Sequence, residues 1–210
     1  MYSLENEPII LCLPGSRKSE IDRLMPTFGK TLEMFSNALP GARFVLTSTP
    51  DIYEYTKTFL DCMPKDIIFL TPEKFGIEKY LKFKKASFRI SHLALAASGT
   101  VSLELAANDT PMVIGYDMNF LSRQIIGFML KTDTVNLVNL ITGNRNIPEC
   151  IGSDFKSEKL FLEMVRVYSN NRNQIKDFET TMDLLGISKQ PPNVRAANSL
   201  LSFCENFKTV

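Results

Sequence analysis

The chain has 210 residues, of which 44% are hydrophobic and 22% charged, a composition that predicts a globular protein with one sizeable core or two small ones. Its net charge is only +1, and Lys82, Lys84 and Lys85 form the one tight basic group, so we expect no nucleic-acid binding. No stretch reaches the roughly 18 apolar residues of a membrane-spanning helix, and the start lacks a secretory pattern, so we expect a cytoplasmic protein.

Up to residue 130, short apolar runs alternate with amphipathic segments. Continuous apolar runs are typical of strands buried on both faces of a parallel sheet, whereas apolar residues three or four positions apart indicate helices. The predicted strands are 8–13, 44–47, 67–70, 93–97 and 112–116, and the predicted helices are 21–35, 51–62, 73–85, 103–107 and 120–130. This alternation predicts an α/β fold with a doubly wound parallel sheet, in which ligands bind beyond the carboxyl ends of the strands.

The pattern changes after residue 131. Residues 135–141 are predicted to be extended, and Pro148 and Glu149 are predicted to open a short helical piece. Further helices are predicted at 157–169, 172–185 and 193–207, with a break at Gly186 and at the proline pair 191–192. We therefore expect one domain over residues 1–186 and a helical C-terminal tail over residues 187–210.

The first predicted strand ends in a tight turn that leads directly into a helix. Gly15, Ser16 and Arg17 form this turn, with Ser16 as the expected helix cap and Glu20 near the position of a capping box. Unpaired backbone N–H groups at the start of a helix favour anions. The turn is therefore a candidate phosphate site.

The strand at 93–97 ends in a similar way. Ser98, Gly99 and Thr100 follow it, with Ser98 or Thr100 as the expected cap and Glu104 in or just beyond the first helical turn. Gly99 would let a ligand approach the backbone, and Glu104 could accept hydrogen bonds from a pair of hydroxyl groups. A capped helix with an early acidic residue explains the same residues equally well.

The content of cysteine and histidine argues against a metal site. The four cysteines are far apart and lie in or beside apolar segments, so we expect buried thiols, at Cys12, Cys62, Cys150 and Cys204. His92 is the only histidine and is expected to flank its strand rather than to act as a ligand or base. No glycine triplet or Walker sequence is present either. We expect no metal and no cofactor.

Five motifs, in their order and spacing, resemble lipid-A-disaccharide synthase over nearly the whole chain, from Ile9 to about Phe207. The motifs are residues 13–21, 97–104, 111–116, 131–132 and 137–140. The resemblance implies a glycosyltransferase with two Rossmann-like domains, which transfers 2,3-diacylglucosamine from its UDP carrier to 2,3-diacylglucosamine 1-phosphate. The chain resembles only the carboxyl-terminal half of such an enzyme, which holds the sugar nucleotide.

The resemblance also implies roles for individual residues. Arg17, with Gly15 and Ser16, would meet the diphosphate, and the turn of Ser98, Gly99 and Thr100 would offer backbone donors to a phosphate. Glu104 would accept from the ribose hydroxyls, and Asn139 would contact the donor. The catalytic base would belong to the absent amino-terminal acceptor domain, so no catalytic residue can be named here. The family proline before the asparagine is replaced by Val138, and a family glutamine by Gly152.

Because the chain resembles only the carboxyl-terminal half of the enzyme, we expect it to need a partner. The isolated chain is expected to be inactive, and its last helix to pair with an acceptor-domain polypeptide or to self-associate. The segment 120–130 is either a buried helix or one that lies on a membrane, so peripheral contact at the inner face of the inner membrane stays open. Two alternatives also stay open: an enzyme similar to UDP-sugar epimerases, and a non-catalytic UDP-sugar-binding or interaction domain that is a remnant of the enzyme.

Overall fold

The computed structural model of the chain describes residues 7–117, 134–187 and 190–207. The strands in these residues are β1 (Ile9–Leu13), β2 (Arg43–Thr47), β3 (Ile68–Leu70), β4 (Leu93–Ala96), β5 (Met112–Tyr116) and β6 (Glu149–Ile151). The α-helices are α1 (Lys18–Ala38), α2 (Tyr53–Lys57), α3 (Pro72–Phe75), α4 (Ile77–Ile90), α5 (Val101–Ala106), α6 (Leu137–Thr142), α7 (Ser157–Ser169), α8 (Arg172–Leu185) and α9 (Pro192–Phe207). Single 3-10 turns lie at Leu60–Cys62 and Gly152–Asp154.

The strands form one sheet in the order β3-β2-β1-β4-β5-β6, and all neighbouring strands are parallel. The chain therefore winds outward from β1 in one direction, then returns to the centre and winds in the other direction. The place where the direction changes lies between β1 and β4, which is where ligands bind in open sheets of this kind. The predicted doubly wound α/β fold is confirmed.

Helices cover both faces of the sheet, and β1 shows why its sequence is apolar throughout. Ile10 and Cys12 pack into the core beneath α1 and α7, whereas Leu11 and Leu13 pack on the other side, beneath α4, α5, α6 and α8. Successive side chains of a strand point to opposite faces, so a strand covered on both faces needs a continuous apolar run.

Two predictions for residues 135–151 were wrong. Residues 137–142 form helix α6 rather than an extended segment, because the side chain of Asn136 accepts hydrogen bonds from the N–H groups of Val138 and Asn139 and so caps a helix. Glu149 lies in strand β6 rather than in a helix, because it pairs with Ile114 at the edge of the sheet. A three-residue edge strand depends on a partner distant in the chain, which local sequence does not show.

Other elements differ in extent. The predicted helix 51–62 is reduced to α2 and a 3-10 turn, and the predicted helix 73–85 is divided at Gly76 into α3 and α4. The predicted helix 120–130 lies outside the described residues. The tail helix α9 is present, and Leu200, Leu201 and Phe203 on it are exposed. In the part of the chain that the structure describes, no helix combines the length and the apolar character needed to cross a bilayer.

Candidate functional site

The turn between β1 and α1 is organised by the carboxylate of Glu20. Its Oε2 accepts hydrogen bonds from the backbone N–H groups of Ser16 (2.8 Å) and Arg17 (3.2 Å), and its Oε1 accepts from Nη1 of Arg17 (3.1 Å). Gly15 has φ +107°, a conformation that favours glycine, and a Cβ there would also lie 2.9 Å from the Cβ of Glu20, closer than such atoms normally approach. Arg17, not Ser16, occupies the cap position, so the prediction that Ser16 caps the helix was wrong.

The capping role of Glu20 changes what this turn can offer an anion. The N–H groups of Ser16 and Arg17 already donate to a carboxylate, so a phosphate would have to displace it to reach them. The side chain of Arg17 is 75% exposed, whereas that of Glu20 is 11% exposed. The exposed guanidinium is therefore the group of this turn that remains accessible to a ligand.

The turn between β4 and α5 has a different construction. The hydroxyl of Ser98 donates to the carbonyl of Val135 (2.8 Å), and the hydroxyl of Ser102 donates to the carbonyl of Gly99 (2.8 Å). Thr100 occupies the cap position without a capping hydrogen bond from its side chain. Thr100 therefore occupies the cap position as predicted, although neither its hydroxyl nor that of Ser98 makes a capping hydrogen bond. In contrast to the first turn, no carboxylate of the described residues accepts hydrogen bonds from the backbone of this one.

Gly99 has φ +153°, and a Cβ placed there would meet no atom of the described residues within 4 Å apart from its chain neighbours. The residue thus leaves the backbone of the turn open to an incoming group. Glu104 follows in α5 and is exposed.

The pairing of β1 with β4 brings the two turns together. Leu13 and Ala96 are partners at the ends of these strands, so both turns emerge side by side at the carboxyl edge of the sheet. Between them lies a cleft of about 470 Å³. Seven of the eight predicted site residues line it: Gly15, Ser16, Arg17, Ser98, Gly99, Thr100 and Glu104.

Asn139 is not brought to the cleft. Its side chain is fully buried, and its amide donates to the carbonyl of Ile147 (2.9 Å) and to Glu149 (3.3 Å) while accepting from the N–H of Ile147 (3.1 Å). These bonds tie α6 to the segment before β6. These hydrogen bonds give Asn139 a structural role, and its contact with the donor stays a prediction.

Four residues of the cleft were missed. Thr47, Ser48 and Thr49 line it at the end of β2, and Lys84 lines it from α4. The end of a predicted strand was a usable signal for the β2 residues. Lys84 gave no such signal, because its place in the cleft depends on how the crossover helix α4 packs against the sheet.

Cys12, Cys150 and His92 have structural positions outside the cleft. Burial raises the pKa of the Cys12 thiol and raises that of Cys150 to about 11, which keeps both protonated and unreactive at neutral pH. Cys62 and Cys204 are exposed, so the prediction of four buried thiols was wrong for these two. His92 flanks β4 as predicted, and its Nδ1 accepts from the N–H of Ile9 (3.1 Å). Among the described residues, no group of three His, Cys, Asp or Glu side chains could hold a metal.

Solved structures share this fold. ADP-heptose LPS heptosyltransferase II of Escherichia coli matches with a TM-score of 0.55 and 12% identity, over 79% of this chain and 48% of that one. The UDP-GlcNAc 2-epimerase of Neisseria meningitidis bound to UDP-GlcNAc matches with a TM-score of 0.51 and 12% identity, over 84% of this chain and 40% of that one. The chain has the Rossmann-like fold of one half of a GT-B glycosyltransferase.

Sequence comparison names the family. A family model described as lipid-A-disaccharide synthetase matches residues 3–200, and the chain belongs to that family. The lipid-A-disaccharide synthase of Ruegeria pomeroyi is 38% identical over 194 residues, which cover 92% of this chain and 48% of the relative. The lipid-A-disaccharide synthase of Rickettsia prowazekii is 33% identical over 198 residues, which cover 92% of this chain and 50% of that relative. The predicted resemblance is confirmed, and the chain spans about half the length of the curated relatives it matches.

Proposed function

We propose that this chain is the donor-binding half of a lipid-A-disaccharide synthase, which transfers 2,3-diacylglucosamine from its UDP carrier to 2,3-diacylglucosamine 1-phosphate and releases UDP. One observation carries the proposal: in a chain of this family, the two turns predicted to bind the donor meet in a single cleft at the carboxyl edge of the sheet. A cleft at the change of winding direction is the usual ligand site of this fold.

The groups that line the cleft suit a uridine diphosphate. The exposed guanidinium of Arg17 can form charge-assisted hydrogen bonds with the diphosphate, each contributing about 1.5–3 kcal/mol. The backbone N–H groups around Gly99 can donate to a phosphate oxygen, since a Cβ at Gly99 would contact none of the described residues within 4 Å and a ligand can therefore approach the backbone closely. The carboxylate of Glu104 can accept from the two ribose hydroxyls. Gly15 and Ser16 contribute by shaping the turn that holds Arg17.

This arrangement supports the departure of UDP. As the bond from the sugar to the β-phosphate breaks, negative charge accumulates on the phosphate oxygens, and fixed positive groups and N–H dipoles lower the energy of that state. Arg17 and the turn at Ser98 to Thr100 supply such groups. The acceptor and the base that takes its proton are assigned to the remaining half of the enzyme, so we propose that this chain alone makes no disaccharide.

The substrate chemistry and the tail suggest further contacts. We propose that α9, which exposes Leu200, Leu201 and Phe203, pairs with an acceptor-domain polypeptide or with a second copy of the chain.

We also propose a cytoplasmic protein with peripheral contact to the inner membrane, because an acylated donor partitions into lipid. Sedimentation with anionic liposomes tests this contact, and recovery of all protein in the supernatant at low salt would rule it out.

Calorimetric titration with UDP tests the proposed site. We expect saturable binding that is unchanged by EDTA, and a loss of affinity of about tenfold or more in both Arg17→Ala and Glu104→Ala. Glu33→Ala is a matched control, since Glu33 is exposed on α1 and does not line the cleft. If both site variants bind UDP as tightly as the parent, the site is misplaced.

A further inference from the structure

The cleft extends past the two predicted turns to a third wall, built from the end of β2 and the side of α4. Thr47, Ser48 and Thr49 form one part of this wall, and Lys84 forms the other. Neither the sequence motifs nor the family resemblance assigned a role to these residues. We propose that Lys84 is a second diphosphate-binding cation of the donor site, assisted by the hydroxyl of Thr47; this inference rests on the proposed UDP-sugar function.

The position of Lys84 separates it from the other lysines of α4. Lys79, Lys82 and Lys85 are exposed, whereas Lys84 is half-buried and lines the cleft. Lys82 is neutralised by an ion pair with Glu78 (2.8 Å). Among the described residues, the ammonium of Lys84 has neither an ion pair nor a hydrogen bond. Lysine side chains are seldom withdrawn from water without a partner, so a partly buried lysine that lines a cleft and whose ammonium has no partner in the described part of the chain favours an anionic ligand there.

The wall is held in place by a buried hydrogen bond. Tyr80 is fully buried, and its hydroxyl donates to the carbonyl of Ser48, which fixes α4 against the end of β2. Lys84 is one helical turn beyond Tyr80 and therefore lies on the same face of α4. The ammonium is thus presented by a rigid helix rather than by a loop.

Thr47 supplies an independent observation. Its side chain is 2% exposed, and its hydroxyl is buried without a hydrogen-bond partner among the described residues. Buried hydroxyls are nearly always paired, so an unpaired one beside a cleft indicates a group that the bound state provides. A rotation of the Thr47 side chain about χ1 would turn this hydroxyl toward the cleft, where a phosphate oxygen, or a water molecule held by it, can accept from it.

The charge balance of the cleft supports the same conclusion. Among the described residues, the cationic side chains that line it are Arg17 and Lys84, and the carboxylates are Glu20 and Glu104. Arg17 already forms an ion pair with Glu20. Without Lys84, these described side chains would carry one more negative than positive charge, which disfavours a diphosphate. With Lys84 their charges balance, and the diphosphate can be bound between two cations on different walls.

Titration of the full 210-residue chain with UDP, UMP and uridine tests the assignment. We expect Lys84→Gln to weaken UDP binding by about tenfold to a hundredfold, to weaken UMP less and to leave uridine unchanged. Lys84→Arg should retain most of the affinity because it keeps the charge. Thr47→Val, which keeps the shape and removes the hydroxyl, should weaken UDP binding by a few fold. Lys85→Gln is the control, since Lys85 is an exposed neighbour outside the cleft.

The outcomes separate this inference from the proposed function. If the parent binds UDP and Arg17→Ala weakens it while Lys84→Gln binds as tightly as Lys85→Gln, the role of Lys84 is refuted and the donor site stands. An equal loss for UDP and uridine would also refute it, because a structural defect does not depend on ligand charge. If the parent binds no UDP, both proposals fail. Equal melting temperatures of the variants confirm that the folded states are comparable.

Discussion

Replacing Glu20 with alanine removes the group that organises the first turn of the cleft. The change deletes two hydrogen bonds to backbone N–H groups, at 2.8 and 3.2 Å, and the contact with Arg17 at 3.1 Å. The loss of such a capping interaction costs about 0.5–2 kcal/mol, and the loss of a carboxylate from the first helical turn adds about 0.3–1 kcal/mol. The Arg17 pair adds little, because that side chain is 75% exposed and its charge is screened by water.

These contributions place the expected loss of unfolding free energy at about 1–3 kcal/mol. For a chain of this size each kcal/mol lowers the melting temperature by about 2–4 °C, so we expect a decrease of about 4–8 °C for a mid-range loss. Urea denaturation followed by circular dichroism, with the melting temperature measured in parallel, gives both quantities. An unchanged slope with urea concentration would show that the native state remains equally compact.

Two further variants separate the causes. Glu33→Ala removes an exposed carboxylate from the same helix and should change stability by less than about 0.5 kcal/mol. Glu20→Gln keeps an oxygen that can accept the backbone hydrogen bonds and should recover about half of the loss. If Glu20→Ala is no less stable than Glu33→Ala, the carboxylate does not hold the turn. If Glu20→Gln is as unstable as Glu20→Ala, charge rather than hydrogen bonding is responsible.

Three other predictions concern positions outside the turns. Asn139→Ala should lower stability by about 2–4 kcal/mol, because it removes three side-chain hydrogen bonds, two of them buried, and should leave UDP affinity unchanged. Loss of UDP binding by this variant, measured by calorimetry below its melting temperature, would contradict the prediction. Light scattering should give the parent a mass above that of a monomer and Leu200→Asp a smaller one, whereas a monomeric parent would contradict self-association through α9. Ellman's reagent at pH 8 should label the exposed Cys204 in the native chain and, more slowly because burial raises the pKa of its thiol, Cys62, whereas all four cysteines should react after unfolding. Cys150, with a pKa of about 11, carries almost no thiolate at that pH, so rapid labelling of all four in the native state would exclude this.

Sequence reasoning located the main parts of the sheet and of the cleft for a physical reason. A strand covered on both faces must be apolar at every position, so β1 and β4 were visible as apolar runs. The residues that end such runs and open a helix are restricted to a few types, so Gly15 and Gly99 marked the turns. Because parallel strands place their carboxyl ends on one edge, two such turns could be expected at the same edge. The family resemblance then implied that a UDP-sugar donor binds at that edge, and the binding roles of the individual residues stay predictions.

The features that were predicted wrongly or missed from the sequence depend on contacts that only the tertiary structure brings about. Helix α6 is selected by the cap that Asn136 provides, and β6 by pairing with β5, although both segments were read otherwise from their local pattern. Asn139 is withdrawn into the protein because the segment before β6 lies beside it. Lys84 reaches the cleft because buried Tyr80 fixes α4 against the end of β2. Local patterns determine which residues are apolar and where a chain turns, whereas the packing of a crossover helix decides which of its polar side chains faces a ligand.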